Sequence, residues 1–128
     1  MDIHIQFCTE PISRLQPYPP QKEEYGARVE FYGTVRGSEL GETIRGLRYE
    51  IYHSMAELQI RRIIEELIVH HPCGAISVVH RHGDVLVGEN AIYVGITAAH
   101  RKEAFEMLSA FMDRLKQDVP IWKAEVLK

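Results

Sequence analysis

The sequence has no excess of positive charge. Fifteen Lys and Arg stand against eighteen Asp and Glu, a formal net charge of -3, whereas a nucleic-acid binder of this size usually shows a large basic excess. Polyanion binding is disfavoured, although a few converging cations can hold a small phosphate whatever the total charge. Cysteine is scarce too. Cys8 and Cys73 are the only two, and without C-x-x-C spacing they read as small buried hydrophobes in a reducing compartment rather than as a disulfide scaffold. Long apolar runs are missing: the stretch from Ala91 to Ala99 falls far short of the roughly 20 residues of a membrane-crossing helix. Met1-Asp2-Ile3-His4 carries an acid where a secretory leader has a basic stretch and a long apolar segment, so the expected location is the cytoplasm, with no membrane partner. There is no glycine-rich phosphate loop, no G-x-S-x-G elbow and no Cys-His nucleophile pair.

What is present suits a folded, water-soluble domain. Hydrophobic residues make up 45% and charged residues 26%, a globular balance, and 128 residues without a long linker predict one domain over 1–128. Ile3 to Phe7 alternates apolar and polar residues and reads as a short strand with Ile3, Ile5 and Phe7 inward. Gln16-Pro17-Tyr18-Pro19-Pro20 reads as an exposed loop, since proline lacks the donor that helices and central strands need. From Ala27 to Val35 the alternation returns, and Arg36 ends the polar face of that strand. Gly37 to Gly41 reads as a turn and Ile44 to Tyr52 as the next strand.

Ser54 and Glu57 have capping-box spacing, and Met55, Ile60, Ile63, Ile64 and Leu67 follow at helical intervals, predicting a helix from about Ser54 to about His70. Ala75 to His80 and Asn90 to Ala99 read as paired strands joined through turns at Gly83 and Gly88. A second helix starts near His100 with an apolar stripe of Ala104, Phe105, Leu108, Phe111, Met112 and Leu115, and Pro120 ends it. Ile121 to Leu127 closes the chain as a strand on which Trp122 and Lys123 face opposite sides. The pattern is an α+β domain with two main helices on an antiparallel-rich sheet.

Three segments carry chemistry. In Gly33-Thr34-Val35-Arg36-Gly37 an arginine leaves a strand into a glycine-containing loop; its planar fork suits phosphate or carboxylate, but an ordinary surface arginine looks the same. Ala98-Ala99-His100-Arg101 spans a strand-to-helix junction, where free backbone donors collect and a cation pair makes an anion site; a capping or core histidine is the alternative. Lys116 and Lys123, around Pro120-Ile121-Trp122, offer two ammonium groups at a helix-to-strand corner, each able to act as cation, proton donor or nucleophile, or simply as solvated charges near a helix C-terminus. His70, His71, His80 and His82 lack zinc-site spacing, and no metal is expected.

Taken together these segments resemble the molybdopterin synthase large-subunit family. The resemblance rests on Phe31-Tyr32-Gly33-Thr34-Val35-Arg36, Leu47-Arg48-Tyr49-Glu50-Ile51-Tyr52, Val79-His80-Arg81-His82-Gly83, Ala98-Ala99-His100-Arg101-Lys102-Glu103-Ala104-Phe105, and Asp113-Arg114-Leu115-Lys116 through Pro120-Ile121-Trp122-Lys123. It implies an α/β-hammerhead type fold and a homodimer within a heterotetramer, with a small ubiquitin-like sulfur-carrier subunit at each end. The carrier's C-terminal glycine thiocarboxylate would deliver sulfur to cyclic pyranopterin monophosphate, and two transfers would make the dithiolene of molybdopterin, a step needing no metal or redox cofactor. Carried onto this chain, the resemblance makes Lys116 and Lys123 catalytic, places Arg36, His100 and Arg101 on the substrate's anion, and lets Thr34, Val35, Ala124 and Glu125 line the pocket. A small-anion sensor or a non-catalytic binder of the carrier are the rival classes. On one continuous helix Arg101 and Lys116 lie about 22 Å apart, so a small pterin cannot touch both and the two sets are expected to come from different protomers.

Overall fold

The computed structural model describes all residues from Met1 to Lys128. The elements run β1 (Asp2–Cys8), β2 (Ala27–Thr34), β3 (Ser38–Glu39), β4 (Glu42–Thr43), β5 (Gly46–Ile51), α1 (His53–Leu67), β6 (Ala75–Arg81), β7 (Gly83–Leu86), β8 (Asn90–Ala98), α2 (Arg101–Asp118) and β9 (Ile121–Leu127). The larger sheet has the order β1-β6-β8-β2. Only the β1–β6 pair is parallel; β8 runs antiparallel to both β6 and β2. The smaller of the two main sheets, β7-β5-β9, is antiparallel throughout, and β3 and β4 pair by themselves as a two-stranded antiparallel ribbon. The α+β expectation with two main helices and a mostly antiparallel sheet holds.

Strands β6 and β8 are covered on both faces, which is why their sequences read as near-continuous apolar runs. On one face Ile76, Val78, Val94 and Ile96 pack under Ile60, Ile63 and Ile64 of α1 and Met107 and Phe111 of α2. The opposite face is made of small groups at one end, Ala75 and Ser77 beside Gly95 and Thr97, and of Val79 and Tyr93 further along. The segment between β1 and β2 crosses it: a side chain on Gly74 would strike the Tyr25 ring, and one on Gly95 would meet Tyr93 and Pro19. Pro19 is therefore buried, although the proline-rich stretch reads in sequence as exposed. The smaller sheet has its own apolar cluster of Val35, Ile44, Leu47, Val85 and Ala91.

Several local expectations change. Helix α1 starts one residue before Ser54, with Tyr52 at the N-cap and no side-chain cap; Ser54 is thus inside the first turn and cannot form a capping box with Glu57. The helix ends at Leu67 rather than His70, and Met55 is exposed while Ala56 is buried. In α2 the buried set is Ala104, Met107, Phe111 and Leu115, and Phe105 is 59% exposed. The link between Gly83 and Gly88 is itself a strand, because Val85 supplies the smaller core and β7 pairs with β5. Between β3 and β4 the chain reverses at Leu40 and Gly41, both at positive φ (50° and 81°), a conformation that favours glycine.

Candidate functional site

A cleft of about 480 Å³ opens between the two sheets at the C-terminal end of α2. Its walls come from the ends of β2 and α2 and the start of β9, its floor from β5, β6 and β8. Leu115 faces the core and so turns its neighbour Lys116 outward onto the wall. Pro120 then holds the preceding Val119 in an extended conformation (φ -99°, ψ 132°), as a residue before proline must be, and the chain leaves the helix as β9. That strand's register shifts against β5 between Arg48 and Tyr49: Arg48 faces Glu125, Tyr49 faces Lys123, and Ala124 has no partner. A bulge of this kind re-aims side chains, and here both Trp122 and Lys123 line the cleft, with Trp122 also bordering an adjoining hollow. The expectation that these neighbours face opposite sides does not separate them at this bulged edge.

The structure therefore brings Thr34, Lys116 and Lys123 to one cleft. Thr34 Oγ1 donates to Asn90 Oδ1 at 2.9 Å, and Lys123 Nζ lies 3.4 Å from Glu39 Oε1. Val35 is not on the wall; it is buried in the core of the smaller sheet. Glu125 accepts from Arg48 Nη1 at 2.5 Å, Arg48 also donating to Asp84, so its carboxylate is an ion-pair partner on the sheet surface. Arg36 is exposed just past the end of β2. His100 and Arg101 stand at the other end of α2. His100 has Nδ1 3.9 Å from Glu103 Oε2 and borders a separate hollow of about 300 Å³ with Cys73, Tyr25 and Glu24. Helix α2 runs unbroken for 18 residues between the two groups.

Two floor residues escape the sequence reading. Tyr49 and His80 meet edge to face with ring centroids 5.2 Å apart, and burial raises the Tyr49 pKa, Glu39 adding to it. His80 is 7% exposed, and its Nδ1 lies 2.7 Å from the Arg81 carbonyl oxygen. Burial pushes its pKa down to about 4, so the ring is neutral near pH 7. A polar ring near the end of an otherwise well-buried strand was the available signal; grouping it with His82 as metal candidates obscured it. The four histidines in fact disperse: His70 and His71 lie in the turn after α1, and His82 packs on His53 at 4.7 Å in the adjoining hollow. Arg81 serves the framework. It is 4% exposed, pairs with Glu89 at 3.2 Å and donates to the carbonyls of Thr9 and Asp84, tying β6 to the chain on either side.

Fold and cleft together define an α+β domain that sets two ammonium groups over a neutral floor, a place for an anionic small molecule or chain terminus. The family described as MoaE protein matches residues 7–118. The molybdopterin synthase catalytic subunit of Escherichia coli (strain K12) is 38% identical over 118 residues, 91% of this chain and 79% of that protein. The crystal structure of molybdopterin synthase from Staphylococcus aureus superposes with a TM-score of 0.85 at 32% identity, covering 95% of this chain and 90% of that one. A complex of subunits 1 and 2 of molybdopterin-converting factor from Helicobacter pylori shares the fold, with a TM-score of 0.73 at 22% identity over 98% of this chain and 88% of that one. The chain belongs to the family of molybdopterin synthase catalytic subunits, enzymes of molybdenum-cofactor biosynthesis.

Proposed function

We propose that the cleft is where sulfur passes from a small ubiquitin-like carrier to cyclic pyranopterin monophosphate. The observation that carries this reading is the convergence of Lys116 and Lys123 on one cleft. The sulfur of a C-terminal glycine thiocarboxylate is an anionic nucleophile, and an ammonium group beside it fixes its position and stabilises the charge that develops at the acyl carbon. Lys116 takes that part. Lys123 orients the substrate or supplies a proton. Once the sulfur is bonded to the pterin, water attacks the acyl carbon, the bond between sulfur and acyl carbon breaks, and the carrier leaves with an ordinary glycine carboxylate; two such transfers complete the dithiolene.

The partner is supported by the Helicobacter pylori structure, which is a complex of two subunits, and by the cleft itself, which a globular surface cannot enter but an extended tail can. Arg36, His100 and Arg101 are assigned to the substrate's phosphate through charge-assisted hydrogen bonds, the last two reaching the cleft of a second protomer. Two free thiols suit a reducing compartment, so the cytoplasm is the expected setting.

Reconstitution tests this reading. Thiocarboxylated carrier and cyclic pyranopterin monophosphate, added to the protein, should yield dithiolene product. The same carrier without its terminal glycines should yield none. Transfer from the shortened carrier would rule out tail insertion, and no transfer from the intact carrier would leave a non-catalytic binder.

A further inference from the structure

Two lysines explain why an anion enters the cleft but not which anion, since ammonium groups donate to phosphate and carboxylate alike. Discrimination needs a group of opposite character, and the floor holds one. The Arg81 carbonyl oxygen can only accept, so the 2.7 Å contact places the hydrogen of His80 on Nδ1. That leaves a lone pair on Nε2. This nitrogen has no hydrogen bond within the chain, and it is absent from the polar atoms sealed away from solvent without a partner. A ring that lines the cleft, fixed at one nitrogen and unpartnered at the other, offers an acceptor to whatever occupies the space.

We propose that His80 is a specificity-determining residue of the cleft, its Nε2 accepting a hydrogen bond from an N–H group of the molecule held by Lys116 and Lys123. The inference rests on the cleft being the transfer site and adds to it the chemistry of recognition. The occupant must carry an anion for the lysines and an N–H donor for the imidazole. Inorganic phosphate or a simple carboxylate has only the first. A peptide terminus has both, its last amide beside its carboxylate, and so does a pterin with ring N–H groups and a phosphate. Burial supports the assignment by keeping the ring neutral, because an imidazolium would repel the donor. The edge contact with Tyr49 holds the ring plane, so the lone pair has one direction.

The experiment compares the wild-type protein with His80→Phe, which keeps a ring and removes the acceptor, and His80→Gln, whose amide oxygen restores one. Each is titrated calorimetrically with carrier ending in an ordinary glycine carboxylate, and separately with cyclic pyranopterin monophosphate. His80→Phe should weaken one of the two about tenfold, as loss of a partner from a buried hydrogen bond does, and His80→Gln should recover most of it. Weakening on the carrier arm places the N–H on the peptide tail; weakening on the pterin arm places it on the ring. A folded His80→Phe protein that binds both probes normally overturns the proposal, as does a folded His80→Gln protein that fails equally. If neither variant folds, the imidazole ¹⁵N signals of the wild-type protein decide: Nε2 must shift on adding one of the probes, and an unmoved signal with both refutes the bond. Activity of Lys116→Ala separates this outcome from failure of the parent reading, because full transfer by that variant would remove the lysines, and the site, altogether.

Discussion

Lys116 and Lys123 reach the same cleft from different elements, one by its place beside the buried Leu115 and the other through the β9 bulge. Lys116 is exposed, so Lys116→Ala removes charge without opening the core, and thermal unfolding should change by less than about 0.5 kcal/mol. Product formation should fall roughly 100- to 1,000-fold, the scale of losing one group that stabilises developing charge; near-normal turnover would end its assigned role. His80 makes an independent prediction about acid. Its pKa is depressed in the folded chain to about 4 from 6.5, so between these values the unfolded chain binds more protons and stability rises with pH. The contribution is complete above pH 6.5 and is lost as pH falls toward 4, by at most about 1.4 kcal/mol per pH unit and about 3 kcal/mol in all. Urea unfolding of wild type and His80→Gln from pH 7 to pH 4 should show the wild type losing that much more. Parallel pH curves would mean that the imidazole is not held neutral. At this scale the lysines are legible through the family resemblance and not from their own spacing, whereas the value of His80 depends on one carbonyl contact and a wall of neighbours that no spacing reveals.

Periodicity located both helices but not their phase. In α2, apolar side chains populate two adjacent tracks: Ala104, Met107, Phe111 and Leu115 are buried, Leu108 and Met112 flank them, and Phe105 points away. With aromatics on both tracks the sequence cannot say which one meets the sheet, and Phe105 enters the expected stripe at the expense of Met107. The two residues give opposite predictions. Met107→Ala should cost about 2–5 kcal/mol by leaving a cavity under the sheet, and Phe105→Ala less than about 1 kcal/mol, both measured by denaturant midpoint at constant slope. Equal costs would show that another surface covers Phe105. The same ambiguity affected α1, where Met55 was expected inside and Ala56 is. Strand β7 was missed for a different reason: only Val85 of its four residues is buried, too short a run for alternation to register. The burial of Pro19 depends on the small groups of β6 and β8 beneath it, a long-range match invisible in the loop's own composition.

At the scale of the whole molecule, the layers follow from the order of strand and helix patterns, but the two-sheet division does not, because β2 alternates between covered and exposed residues and still pairs with the fully covered β8 in the larger sheet. The site does not follow either, because it is built at a junction. Helix α2 is continuous from Arg101 to Asp118, and the 15 residues between Arg101 and Lys116 span about 22 Å. One ligand in the cleft at the C-terminal end cannot touch His100 or Arg101 of its own chain. If those residues hold the substrate's phosphate, they do so in the cleft of a second copy, and a two-fold dimer supplies the arrangement twice. Arg101→Ala should then weaken substrate binding by about 1.5–3 kcal/mol while leaving the lysines in place. Subunit exchange provides the decisive measurement. On this reading Arg101→Ala and Lys116→Ala homodimers would each be impaired at both sites, but a heterodimer would have one site with neither substitution and one with both. Random exchange of equal amounts makes half of the dimers heterodimers, each with one intact site, so activity should recover to about a quarter of the wild-type level. No recovery, in a mixture shown by mass to contain heterodimers, would place both sets in one chain, and with an unbroken helix between them that would remove His100 and Arg101 from the transfer site.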